Sequence, residues 1–143
     1  MTAFTMHTIS RAIEINVPSL TRAYNATIKE LIDFYEKNDF MHKVLNFSGN
    51  EAEQVIIYEK LGLTLKGTYR FVFRDTKMFL KWTFNHTDND EVQDVLIMLI
   101  DDDGLIYIND IDSKEVINYH DGNLPYNIFQ RITKAAYDKK LFY

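Results

Sequence analysis

Residues 69–82 read Tyr69-Arg70-Phe71-Val72-Phe73-Arg74-Asp75-Thr76-Lys77-Met78-Phe79-Leu80-Lys81-Trp82, and this stretch decides the fold class. Apolar and basic side chains alternate on both sides of Asp75-Thr76, the period-two pattern of strands that bury one face. A connection of two residues makes the two runs a hairpin. Arg74 then faces Lys77, Val72 faces Phe79 and Arg70 faces Lys81. Tyr69, Phe71, Phe73, Met78, Leu80 and Trp82 share the core side, while Arg70, Arg74, Lys77 and Lys81 surround Val72 and Phe79 on the other. Alternation and register agree, so each supports the other.

A second hairpin follows, with Val92–Ile100 and Leu105–Ile111 as strands around Asp101-Asp102-Asp103-Gly104. Its strands are apolar on both faces near the turn, which implies cover on both sides. Helices supply that cover, or a second copy of the chain paired across a two-fold axis, so a homodimer is an open expectation. Helix signals lie outside the strands. Pro18-Ser19 opens a first helix whose apolar stripe (Leu20, Tyr24, Ile28, Leu31, Ile32, Tyr35) runs through about Lys37. Ser48-Gly49-Asn50-Glu51 matches a capping box and predicts a second helix, with Gly62 placed to end it. A third follows Asn123-Leu124-Pro125 and carries Ile128, Phe129, Ile132, Ala135 and Ala136 inward. The expectation is one α+β domain over 1–143, with an antiparallel sheet of about four strands in two consecutive hairpins, two N-terminal helices and one C-terminal helix.

Composition sets bounds on function. A chain of 143 residues, 46% hydrophobic and 26% charged, is long enough to bury a core and lies away from disordered compositions. Cysteine is absent, which excludes disulfides, thiolate zinc sites and Cys nucleophiles, and suits a reducing cytoplasm. Met1–Ile15 lacks the apolar run of a secretion signal. The longest apolar run, Val95–Ile100, is far short of the ~20 residues that span a bilayer, so no membrane role is expected.

Charge is distributed unevenly. Between Asn85 and Gly122 lie eleven acidic residues and one base, Lys114, whereas the chain on either side is mildly basic; the net charge is −5. Such polarity bears on partners and association rates rather than on fold. Solvated turns that keep the chain soluble are one reading. A recognition surface is the other: closely spaced carboxylates resemble a phosphate backbone and are drawn to basic grooves.

Each chemical constellation has a plain structural counterpart. Asp101-Asp102-Asp103-Gly104 looks like part of a calcium loop, but the first ligand position is Leu99, the last is Asp110, and strands flank it. A turn whose Asp side chains cap their own backbone and whose Gly takes positive φ explains the same residues. His86, Asp88 and Asp90, with His120 and Asp121, form an alternative set for a metal-dependent hydrolase or nuclease, although their spacing matches no metal motif. Solvated polar loops are the simpler explanation, given the ordinary surface preference of Asp and Asn. The basic hairpin face (Arg70, Arg74, Lys77, Lys81, with Phe79 for base stacking) is an alternative nucleic-acid-binding surface. The acidic balance weighs against it, because neighbouring carboxylates neutralise such bases. No nucleophile elbow, phosphate loop, dinucleotide fingerprint or H-E-x-x-H is present, and no cofactor is implied.

The leading expectation is therefore a non-enzymatic inhibitor or antagonist, of the small acidic kind encoded by phages and mobile elements. Its acidic surface would occupy a basic site on a nucleic-acid-handling protein. Asp88, Asp90, Glu91, Asp101, Asp102, Asp103, Asp110 and Asp112 carry that reading, with Tyr107 and Tyr119 as aromatic anchors.

Overall fold

The computed structural model describes residues 5–118 and 122–142. Two helices, α1 (Met6–Lys37) and α2 (Asp39–Val44), precede seven strands: β1 (Asn46–Gly49), β2 (Gln54–Tyr58), β3 (Leu63–Arg74), β4 (Lys77–Asp88), β5 (Glu91–Ile100), β6 (Leu105–Ile108) and β7 (Val116–Asn118). Helix α3 (Leu124–Asp138) follows. The strands pair strictly in chain order as an antiparallel meander curled into a half-barrel. The architecture is α+β, but the sheet has seven strands rather than about four, which corrects the sequence-based expectation.

The central hairpin forms as its alternation requires. Arg74 faces Lys77, Val72 faces Phe79 and Arg70 faces Lys81, within strands that extend to twelve residues each. On β5 and β6, Leu99 faces Tyr107, and β6 ends at Ile108 rather than Ile111. The differences lie at the N-terminal side. Residues 48–61 form the β1–β2 hairpin and a single 3-10 turn instead of a helix. Asn50 makes the turn, its Oδ1 accepting from the backbone N–H of Ala52 (2.9 Å) and Glu53 (3.3 Å). Gly49 sits at φ 123°, where a Cβ would meet the Glu53 carbonyl oxygen at 2.2 Å. That approach excludes the capping-box geometry and leaves the place to glycine. Gly62 does end a helical turn, at φ 67°, but only the three residues of the 3-10 turn.

Helix α1 also begins earlier than Ser19. Thr5 is its N-cap, accepting from Thr8 N–H at 3.2 Å, and Pro18 lies inside it. Proline lacks the N–H that the preceding turn would receive, and here it faces solvent, where water can satisfy the freed carbonyl.

Helices α1 and α3 fill the concave side of the sheet. Leu20, Tyr24, Ile28 and Leu31 from α1 and Ile128, Phe129, Ile132 and Ala136 from α3 are buried in one core with Leu65, Leu80, Trp82, Phe84, Met98 and Ile106. Each buried aliphatic or aromatic side chain contributes roughly 1.5–3 kcal/mol of transfer free energy. At the centre is a polar exception. Gln54, with no exposed surface, donates from Nε2 to Tyr24 Oη and to the Asn50 carbonyl (both 2.7 Å) and accepts from Trp82 Nε1 (2.8 Å). Tyr24 Oη in turn donates to the Glu51 carbonyl at 2.7 Å. This network ties α1 to β2 and β4 and satisfies every polar atom in it. Gly67, opposite Gln54, has no room for a side chain: a Cβ would lie 2.5 Å from Gln54 Oε1 and 2.6 Å from the Phe84 ring. No helix among the described residues is long and apolar enough to cross a membrane.

Candidate functional site

Meander topology splits the acidic residues between different parts of the molecule. Asp88, Asp90 and Glu91 surround the β4–β5 turn, whereas Asp101, Asp102 and Asp103 lie in the β5–β6 turn. Ten residues of β5 separate the two turns, a rise of about 30 Å at ~3.3 Å per residue. The acidic segment is therefore not one continuous patch.

At the β5–β6 turn the charge is used internally. Asp101 is 2% exposed; its Oδ1 accepts from the N–H of Asp103 (3.0 Å) and Leu105 (2.9 Å), and its Oδ2 from Tyr107 Oη (3.2 Å). Gly104 takes φ 84°, completing the self-capped turn that its sequence also allows. Burial, together with the Asp101 carboxylate, pushes the Tyr107 phenol up. Lys77 lies 4.0 Å from Asp101 and 3.8 Å from Asp102, and its ammonium is 5.3 Å from the centroid of the Phe79 ring. Arg74 pairs with Asp110 at 3.4 Å. The acidic and basic candidate sets thus meet each other here. Phe79, 4% exposed, packs edge-on against Tyr107 and lies beneath Lys77, so its face is covered. Arg70 is exposed, Lys81 is half-buried, and Asp112 and Asp103 are exposed.

Ligand atoms of Asp101, Asp102 and Asp103 come within 4.8 Å of one another, the one such group among the described residues. Its innermost member already accepts from two backbone N–H groups and a phenol. His86, Asp88 and Asp90 are not brought together in such a group. His86 Nδ1 instead lies 3.3 Å from the Thr64 carbonyl. Tyr119, His120 and Asp121 lie outside the described residues.

The other end of β5 is different. Asn89 (φ 51°) and Asp90 (φ 66°) form a two-residue turn with positive φ at both positions, the geometry that suits the twist of a hairpin. Asp88, Asp90, Glu91 and Asp94 are all exposed, as are Val92 and Gln93 beside them. None of these four carboxylates joins an ion pair among the described residues. Just beyond them a groove of about 560 Å³ runs between β5 and α3, with Asp94, Val95 and Leu96 on one wall and Arg131, Lys134 and Asp138 on the other. On the α3 wall Arg131 pairs with Glu115, and Lys134 donates to Asp138 at 2.8 Å, which pushes that lysine up, while Lys139 lines the groove outside any ion pair among the described residues. Exposed aromatic surface gathers elsewhere, where Phe40, Tyr126 and Tyr137 line a groove of about 400 Å³ between α2 and α3.

Asp94 and the groove are absent from the sequence-based site. From the sequence, Asp94 on the following strand reads as a carboxylate that neutralises the basic hairpin face rather than as part of a binding surface. The groove arises because β6 is shorter than β5, a difference without a local signal.

No protein-family model, curated protein or solved structure matches this chain. Its function rests on the geometry alone.

Proposed function

We propose that this chain is a non-enzymatic binding protein that engages a basic partner protein through the β4–β5 end of its half-barrel. Asp88, Asp90, Glu91 and Asp94 are the contact, and the partner is a basic, nucleic-acid-handling protein whose binding site the chain occupies as an antagonist. One observation carries this reading. These four carboxylates are exposed and outside any ion pair among the described residues, and they cluster at one turn. At the other end Asp101, Asp102 and Asp110 are spent on Arg74, Lys77 and backbone N–H groups, and only the Asp103 carboxylate of that turn is left without such a partner among the described residues. Unpaired like charges repel one another and do nothing for the fold, but they steer a cationic partner and speed its association ~10–10³-fold at low salt.

The test compares two charge-neutralised chains as bait in a lysate at low and high salt. One carries Asp88→Asn, Asp90→Asn, Glu91→Gln and Asp94→Asn; the other carries Asp102→Asn, Asp103→Asn and Asp112→Asn. A basic protein held by the wild type and the second variant, lost by the first and released by salt, supports the proposal. Equal capture by both variants, or capture only through a chelator-sensitive activity, overturns it.

A further inference from the structure

Strand β5 pairs with β4 from Glu91 opposite Asp88 to Ile100 opposite Leu80, with one bulge where the register shifts between Phe84 and Asn85 and Val95 has no partner on β4. On its other side β6 covers only Met98, Leu99 and Ile100, and Asn109 N–H adds one bond to the Ile97 carbonyl at 2.7 Å. Residues 91–96 therefore have no strand on that side among the described residues. In an antiparallel ladder the backbone groups point alternately toward each neighbour, so this stretch presents N–H and C=O groups to the groove.

We propose that the free edge of β5 accepts an extended, Lys- or Arg-bearing segment of the partner as an added strand, seated in the groove beside α3. This rests on the reading of the acidic β4–β5 end given above. Three features fix the occupant. The missing continuation of β6 leaves a groove of about 560 Å³ beside residues 94–97, within the ~300–1,000 Å³ of ordinary binding sites, and Glu91, Val92 and Gln93 line a separate hollow next to Leu141. Main-chain hydrogen bonds then supply affinity, as in other cases of strand addition. On the α3 wall Arg131 and Lys134 are paired, and Lys139 is the one lining base outside an ion pair among the described residues. Against it stand the carboxylates of Asp94, Glu91, Asp90 and Asp88, so the edge keeps a net negative charge that favours a cationic occupant. A second copy of this chain is the wrong occupant. Pairing two β5 edges about a two-fold axis would bring Glu91 and Asp94 of each chain onto one short ladder with Asp88 and Asp90 beside its ends, and that concentration of like charge disfavours it. The acids thus disfavour self-association of this edge while favouring a basic strand.

The experiment uses the full chain, labelled with ¹⁵N, and three capped octapeptides. One alternates Lys and Val, the second is the same peptide N-methylated at every residue so that neither edge keeps its N–H groups, and the third has Glu in place of Lys. Strand addition predicts that the Lys peptide protects the amides of 91–96 from exchange. The N-methylated peptide, equal in charge, should bind about tenfold more weakly or worse, and the Glu peptide should not bind. Equal binding of the Lys and N-methylated peptides would overturn strand addition while leaving an electrostatic contact in place. Binding of neither would also overturn it, reducing the acids at this edge to protection against aggregation; the bait variants above then judge the wider proposal independently. Binding of the Glu peptide as tightly as the Lys peptide would remove the charge argument.

Discussion

Gln54 offers the sharpest test of how this fold holds together. Replacing it with Met keeps the volume close but removes the acceptor of Trp82 Nε1 and the donor to Tyr24 Oη and Asn50. Trp82 has no exposed surface, so its N–H would be stranded away from water. A buried unsatisfied donor costs about 1–3 kcal/mol, and the other two bonds about 1 kcal/mol more, so Gln54→Met should destabilise by about 2–4 kcal/mol. Trp82→Phe should lose about 2–3 kcal/mol, since it leaves the Gln54 Oε1 unpaired and opens a small void. In the double variant neither polar group is stranded, so the total should fall short of the sum by about 1–2 kcal/mol. Urea unfolding followed by far-ultraviolet circular dichroism measures this, because Trp82 is the only Trp and fluorescence would be lost with it. Losses that add to within about 0.5 kcal/mol would refute the network as a coupled unit.

Other outcomes follow from the same structure. Burial pushes the Tyr58 phenol from 10.0 up to about 12, against the lowering effect of its bond to Thr133. The folded chain keeps a proton there that the unfolded chain releases, so this contribution is whole below pH 10.0 and is lost as pH rises toward about 12. Tyr58→Phe should flatten the fall in stability across that window by roughly 2–3 kcal/mol, read from unfolding midpoints at each pH. Asp101→Ala removes the acceptor of two turn N–H groups and of Tyr107. It should cost about 1–3 kcal/mol in a chemical denaturation curve while leaving partner capture unchanged. Asp90→Gly should behave in the opposite sense: at φ 66° glycine fits the backbone at least as well. Stability should hold or rise by up to ~1 kcal/mol while capture of the partner weakens.

What could be read from the chain, and what could not, divides by range of interaction. The 69–82 hairpin was legible down to its register because alternation on both strands and a two-residue connection leave one solution. Its continuation to Leu63 and Asp88 was less so, since Gly67, Thr68, Asn85 and Thr87 interrupt the apolar run. The capping box at 48–51 misled because its residues serve a turn equally well: Asn50 satisfies the N–H groups of Ala52 and Glu53 just as an N-cap would. Only the long-range contact of Gln54 with Tyr24 and Trp82 decides for a strand, and no local pattern carries it. Pro18 marked a start where the helix in fact continues, because an exposed position tolerates the missing N–H. For the site, the sequence showed that acids were concentrated but not that the meander would place 88–91 and 101–103 at opposite ends of β5. Nor could it show that Asp101 would be buried, since that depends on Lys77 and Tyr107 converging from other strands.

The most direct measurement of the central claim is the salt dependence of affinity for the captured basic partner, compared between the wild type and the chain neutralised at Asp88, Asp90, Glu91 and Asp94. Affinity for the wild type should fall steeply as salt rises, and neutralisation should both weaken binding about tenfold or more at low salt and flatten that dependence. An unchanged affinity with an unchanged salt slope would contradict the account, and would move the contact away from the β4–β5 end altogether.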